Sequence, residues 1–219
     1  MMPAPAARPA TAARLLSLLV LGAALAGCAF GGKRGDAVTI YAPEATATPD
    51  PSWPKVDWQL AIARPSAPRL LDTPRIGVRP VPGELQVYKG AAWAQPPTDM
   101  LEASVLRVLE DSGKIDAVGR LATGLRANYR LALDIRHFEA DYRGGEHPVA
   151  VIEVAAKLMH NIDQRVVASR SFARAQPASA ASTASVAAAF DQALAGLSRE
   201  IAGWTLAEGQ ADAQRRAAP

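Results

Sequence analysis

With 219 residues, the chain has room for one domain of ordinary size plus tails, and its 49% apolar content excludes wholesale disorder. The net charge of +3 falls to +1 once residues 1–27, which hold Arg8 and Arg14 and no acidic residue, are set aside. No basic cluster remains to grip phosphates, so nucleic acid is not an expected partner.

The N-terminus has the pattern of a processed export signal. Arg8 and Arg14 form a positive n-region, followed by the 11-residue apolar run Leu15–Leu25. That run falls short of the roughly 20 residues needed to cross a bilayer. Ala26 and Gly27 then lead into Cys28, the single cysteine of the chain. "LAGC" at 25–28 resembles the lipobox of bacterial lipoproteins. There a thiol takes diacylglycerol in thioether linkage, and the small residues before it fit the signal peptidase. A lone cysteine cannot form an intramolecular disulfide, which favours lipidation in an exported protein. By the same resemblance, Ala29 in place of Asp implies the outer membrane of a Gram-negative cell, on its periplasmic face. Residues 1–27 are thus the expected signal peptide, and Cys28 the anchored first residue of the mature chain.

Residues 28–55 are expected to be a flexible tether. Four prolines between Pro43 and Pro54 exclude a regular helix or central strand, and only Val38–Tyr41 reads as a short ordered piece. The folded body is expected over 56–208. It opens with a strand alternating Trp58, Leu60 and Ile62. Arg75–Arg79 and Glu84–Trp93 are the next two predicted strands. A helix follows through "PPTDMLEASVLRVLEDSG", with Thr98 as N-cap, Gly113 at C′ and an apolar stripe of Leu101, Val105, Val108 and Leu109. Three strands joined by short turns follow as an antiparallel meander: "YRLALDIRHFEA", "PVAVIEVAAKLMH" and "RVVASRSFARA". From Ser182 to about Ala207, Val186, Phe190, Leu194, Leu197, Ile201 and Trp204 recur at helical spacing. Residues 209–219 are expected to be a frayed tail. The fold class is therefore α+β, a mixed or antiparallel sheet of about six strands with two long helices on one face.

Chemistry is sparse in this pattern. No G-x-S-x-G elbow or P-loop is present, and the serines cluster where they cap a helix. His137, His147 and His160 lie on separate elements at spacings that match no metal motif. Asp134 alternates with arginines along a strand, as cross-strand ion pairing requires. No cofactor or metal is expected. What remains is a binding or scaffolding domain, with Tyr88 and Trp93 near an apparent edge as candidate contacts for a partner or a lipid tail.

The segment "VDWQLAIARPSAPRLLDTPRIGVRPVPGELQVYKGAAWAQPPTDMLEASVLRVLEDSGKIDAVGR", with "VVASRSFARAQPA" and "AAFDQALAGLSREIAGWTL" downstream, resembles the ABC-type transport auxiliary lipoproteins, the PqiC-like family. The resemblance spans roughly residues 37–207. It implies a non-enzymatic outer-membrane lipoprotein of an MCE-type lipid transport system, docking an MCE-domain periplasmic protein that works with an ABC permease and ATPase. It supplies no catalytic residue; only Cys28 carries over as functional, with Tyr88 and Trp93 as motif positions. A homo-oligomeric ring would suit that role. The competing expectation is an envelope-maintenance lipoprotein that binds another periplasmic protein or peptidoglycan.

Overall fold

The strand with the clearest period-two pattern, "YRLALDIRHFEAD", forms the spine of the molecule. A computed structural model describes residues 37–124 and 126–218. Eight strands run as β1 (Thr39–Tyr41), β2 (Leu60–Ile62), β3 (Arg75–Arg79), β4 (Gln86–Trp93), β5 (Val118–Arg120), β6 (Tyr129–Asp141), β7 (Val149–His160) and β8 (Val166–Pro177). Helix α1 (Pro97–Asp111) lies between β4 and β5, and α2 (Thr183–Ala217) follows β8. The α+β class is as expected, and the short β1 and β5 extend the six expected strands to eight.

All the strands belong to one mixed sheet organised around β6. Along one side, β6, β7 and β8 form the antiparallel meander, with Leu133 opposite Ala156 and Val154 opposite Phe172. On its other side β6 carries two parallel neighbours, β2 against its start and β3 against its end. The sheet therefore forks. β5 continues beyond β2, while β4 and then β1 continue beyond β3.

Alternation on β6 sends Tyr129, Leu131, Leu133 and Ile135 into the core, as the sequence predicts. A register shift between Ile135 and His137 then changes the phase, so Phe138 and Ala140 point inward. On β7 the inward set is Ala150, Ile152, Val154, Ala156 and Leu158. Val149 and Val151 lie half-exposed on the opposite face.

Both helices cover the same face of the sheet. Leu101, Val105, Val108 and Leu109 of α1 are buried, as are Val186, Phe190, Leu194, Leu197 and Ile201 of α2. Pro96, not Thr98, is the N-cap of α1. Pro97 has already set helical φ, so Thr98 lies within the first turn and its hydroxyl donates to Asp72 Oδ1 at 2.6 Å. Gly113 holds the C′ position with φ +60°, a conformation open to glycine at little cost.

Two expected boundaries are corrected. The chain is ordered well before residue 56, since β1 pairs in parallel with β4 and residues 42–58 pack on the helices. At the other end, α2 runs to Ala217, and the expected tail from 209 onward is helical.

Candidate functional site

The prolines that exclude helix and sheet between 43 and 54 favour an extended chain, and an extended chain can lie along a helix. Residues 41–58 do this, stepping down α2 from its start towards its end. Tyr41 Oη and Thr183 Oγ1 are 2.9 Å apart. The Ala45 amide donates to Asp191 Oδ1 at 2.8 Å, and Arg199 Nη2 donates to Asp50 Oδ2 at 3.0 Å. Trp53 then lies over Gly203 and Trp58 over Gly209. From 183 to 209 the helix rises about 39 Å, and seventeen extended residues span about 53 Å, enough to follow it with one bend.

The same strap holds α1. Ala45, only 2% exposed, accepts from Ser104 Oγ through its carbonyl, and Arg107 Nη1 donates to the Glu44 carbonyl at 3.1 Å. Val56 pairs with Ile115 just beyond α1. The segment expected to be a free tether thus clamps both helices. Isolated, irregularly spaced side chains do the clamping, so no periodic signal marks it in the sequence.

Trp93 is not a surface contact. It is 2% exposed and packs edge-on against Phe138 and Phe190, with ring centroids 6.2 and 5.2 Å away. Phe138 and Phe190 stack on each other at 4.8 Å, so the trio joins β4, β6 and α2 in the centre of the core. Its position at the end of β4, beside the edge strand β1, resembles a sheet rim in sequence, but the helix layer closes over it. Tyr88 is half-buried, and burial together with the neighbouring Tyr142 pushes its hydroxyl well above the ordinary tyrosine range. The two motif aromatics therefore do not share a surface. Cys28 lies outside the described residues.

The polar clusters are structural locks. Asp212, 1% exposed at its side chain, receives Arg165 Nη2, Arg216 Nε at 2.8 Å and the Tyr129 hydroxyl at 3.1 Å. Burial opposes ionisation of Asp212, but the hydrogen bonds from Arg216, Arg165 and Tyr129 outweigh it and lower its pKa to about 2. Burial and the adjacent Asp212 charge push Tyr129 up to about 12. Arg216 also reaches Asp163, which receives His160 Nδ1 at 2.9 Å; these bonds hold Asp163 well below the carboxylate range. His160 is thus a partner in a lock that pins the end of α2 to the β7–β8 turn.

The lowered Asp212 pKa fixes the sign of a pH effect. The carboxylate stabilises the fold fully above the ordinary carboxyl value of 3.8, and this contribution is lost as pH falls through about 2. Urea midpoints are expected to stay level from pH 7 to about 4 and to drop below it, and Asp212→Asn should flatten that part of the drop.

The second cluster lies on the helix-free face. Buried Glu139 takes Arg79 Nη2 at 2.9 Å, His137 Nδ1 at 2.7 Å and the Phe138 amide at 2.8 Å. Those bonds satisfy the carboxylate and leave no free base. His147 is exposed in the turn between β6 and β7. Among the described residues, no group of three His, Cys, Asp or Glu could hold a metal ion. Nor is any described helix long and apolar enough to cross a membrane.

This geometry defines a small α+β domain with a clamped N-terminal entry. The family model for the ABC-type transport auxiliary lipoprotein component matches residues 39–202, and the chain belongs to that family. The match begins at β1, so the strap is part of the family domain. The family is an auxiliary transport component. A crystal structure of protein XCC0632 from Xanthomonas campestris, of the DUF330 family model, is 60% identical, covers 81% of this chain and 99% of its own, and superposes with a TM-score of 0.79. An uncharacterized solved protein at 17% identity, covering 72% and 97%, shares the fold with a TM-score of 0.55. The uncharacterized protein bll6063 of Bradyrhizobium diazoefficiens is 31% identical over 147 residues, 67% of this chain. The chain spans 39% of that relative's length.

Proposed function

We propose that this protein is the non-enzymatic outer-membrane lipoprotein subunit of an MCE-type intermembrane lipid transport system. Acylated through Cys28, it docks an MCE-domain periplasmic protein that is served by an ABC permease and ATPase. The observation that carries this reading is the family match over 39–202, placed just downstream of "LAGC". Two or three acyl chains, at about 0.8 kcal/mol per buried CH₂, anchor a protein stably. Self-association into a ring around the conduit fits the role. Among the described residues β8 pairs only with β7, which leaves a twelve-residue edge of the kind that pairs between subunits.

Cys28→Ser tests the anchor. Mass spectrometry of the native protein should show acyl mass on a chain beginning at Cys28, and the variant should lose both that mass and its sedimentation with outer membranes. A Cys28→Ser protein that still fractionates with the outer membrane would overturn the reading.

A further inference from the structure

We infer that the helix-free face of the β1–β4–β3 end of the sheet rests on the bilayer that holds the anchor. The inference depends on the reading of Cys28 as acylated. Its starting point is a row of exposed aliphatic side chains where one face of a sheet would otherwise be polar.

Register identifies the face. Tyr41 pairs with Trp93, and both point to the helices, since Tyr41 reaches Thr183 and Trp93 packs on Phe190. Strand alternation then sends the preceding pair, Ile40 and Ala92, to the opposite face. Arg75 pairs with Ala92 and joins that row, while Gly77 pairs with Val87 on the same face. Ile40 is 58% exposed, Val87 37%, and Val38, two residues before Ile40, 56%. Val81, also exposed, lies in the β3–β4 turn. Isolated exposed aliphatics are ordinary on a protein surface, but several on one end of one face form a contact patch.

Three observations favour a bilayer as the occupant. The first is reach: Val38 stands ten positions after Cys28, and ten steps of fully extended chain measure at most about 35 Å. The second is charge. Arg75 and Lys89 are exposed and have no ion-pair partner among the described residues, and Lys33 and Arg34 lie in the connecting segment, which suits anionic headgroups. The third is contrast along the face. Beyond the Arg79–Glu139–His137 cluster it turns polar, with Arg136 reaching both Glu153 and Ser171 and Asp134 bonded to Ser66. A patch this small would bind lipid weakly alone. Held at the surface by the acyl chains, it needs only to orient the domain.

Spin-label depth measurements test this directly. Native Cys28 is consumed by acylation, so single cysteines at Ile40, Val87 and Lys157 can be labelled in the lipidated full-length protein. The protein is placed in vesicles of phosphatidylethanolamine and phosphatidylglycerol. Labels at 40 and 87 should relax more with oxygen than with a water-soluble nickel chelate, and the label at 157 should show the reverse. Equal aqueous accessibility at all three sites, in protein that still floats with vesicles and carries acyl mass, would overturn the orientation and leave the anchor intact. Labels at 40 and 87 shielded from both relaxants would also overturn it, because a protein neighbour then covers the patch. Failure to float, with no acyl mass, would remove the anchor reading and this inference with it.

Discussion

Asp212→Ala is expected to lower the free energy of unfolding by about 3 kcal/mol, the lower end of the 3–5 kcal/mol lost when one partner of a buried ion pair is removed. The carboxylate accepts from Arg165, Arg216 and the Tyr129 hydroxyl, and Arg215 lies 3.5 Å away. Without it, the Tyr129 hydroxyl loses its partner in a buried position, while the half-exposed arginines can turn to water. That recovery keeps the cost near the lower figure. The damage should be local at first, because the lock holds the end of α2 to β6 and the β7–β8 turn. Amide exchange should therefore accelerate in the last two turns of α2 before it does in β6 or β7. Urea unfolding at pH 7 measures the effect. A loss below 1 kcal/mol would show that the arginines, and not the carboxylate, hold this end.

Gly209→Ala should destabilise the protein even though it improves helix propensity. In an exposed helix interior, alanine is favoured over glycine by about 1 kcal/mol. Here an added Cβ would lie 2.4 Å from Trp58 Cζ2. Trp58 cannot withdraw, because it is buried edge-on against Tyr129 with ring centroids 4.8 Å apart. Overpacking of this kind costs about 1–3 kcal/mol, so the net effect is a loss. Gly203→Ala is the comparison. Its Cβ would meet Trp53 Nε1 at 2.6 Å, but Trp53 is only half-buried and can swing towards solvent. Thermal unfolding should rank Gly209→Ala below Gly203→Ala, and a raised midpoint for Gly209→Ala would contradict the strap packing.

These two residues also mark where the sequence can be read and where it cannot. Long strands and helices are legible because burial on one face imposes a period on many consecutive residues. β6 and α2 show this, and the core face of each follows from its spacing as far as Ile135. A single bulge then shifts the phase, and nothing in "DIRHFEA" announces it. The strap from 41 to 58 has no period. Its prolines say which structures it cannot form, but whether it floats or docks depends on Asp191, Gly203 and Gly209, more than 140 residues away. The end of α2 is misread for the same reason. "EGQADAQRRA" has poor apolar spacing, and its order comes from Asp212 meeting Tyr129 across the fold. Trp93 is legible as important but not as buried, since the helix that covers it begins ninety residues later.

The proposed anchor and the proposed contact surface divide in the same manner. "LAGC" can be read as lipobox-like because its residues are adjacent in sequence. The proposed surface cannot, because Ile40, Val87 and Arg75 become neighbours only through the β1–β4–β3 register.

Co-purification tests the central claim most directly. Lipidated, tagged protein extracted in mild detergent from cells of its own source should bring down an MCE-domain protein together with its ABC permease and ATPase, and the Cys28→Ser protein in the soluble fraction should still bind the MCE protein through its folded domain. Recovery of the intact lipoprotein with only peptidoglycan or unrelated envelope proteins, and with none of the MCE proteins present in that cell, would contradict the account.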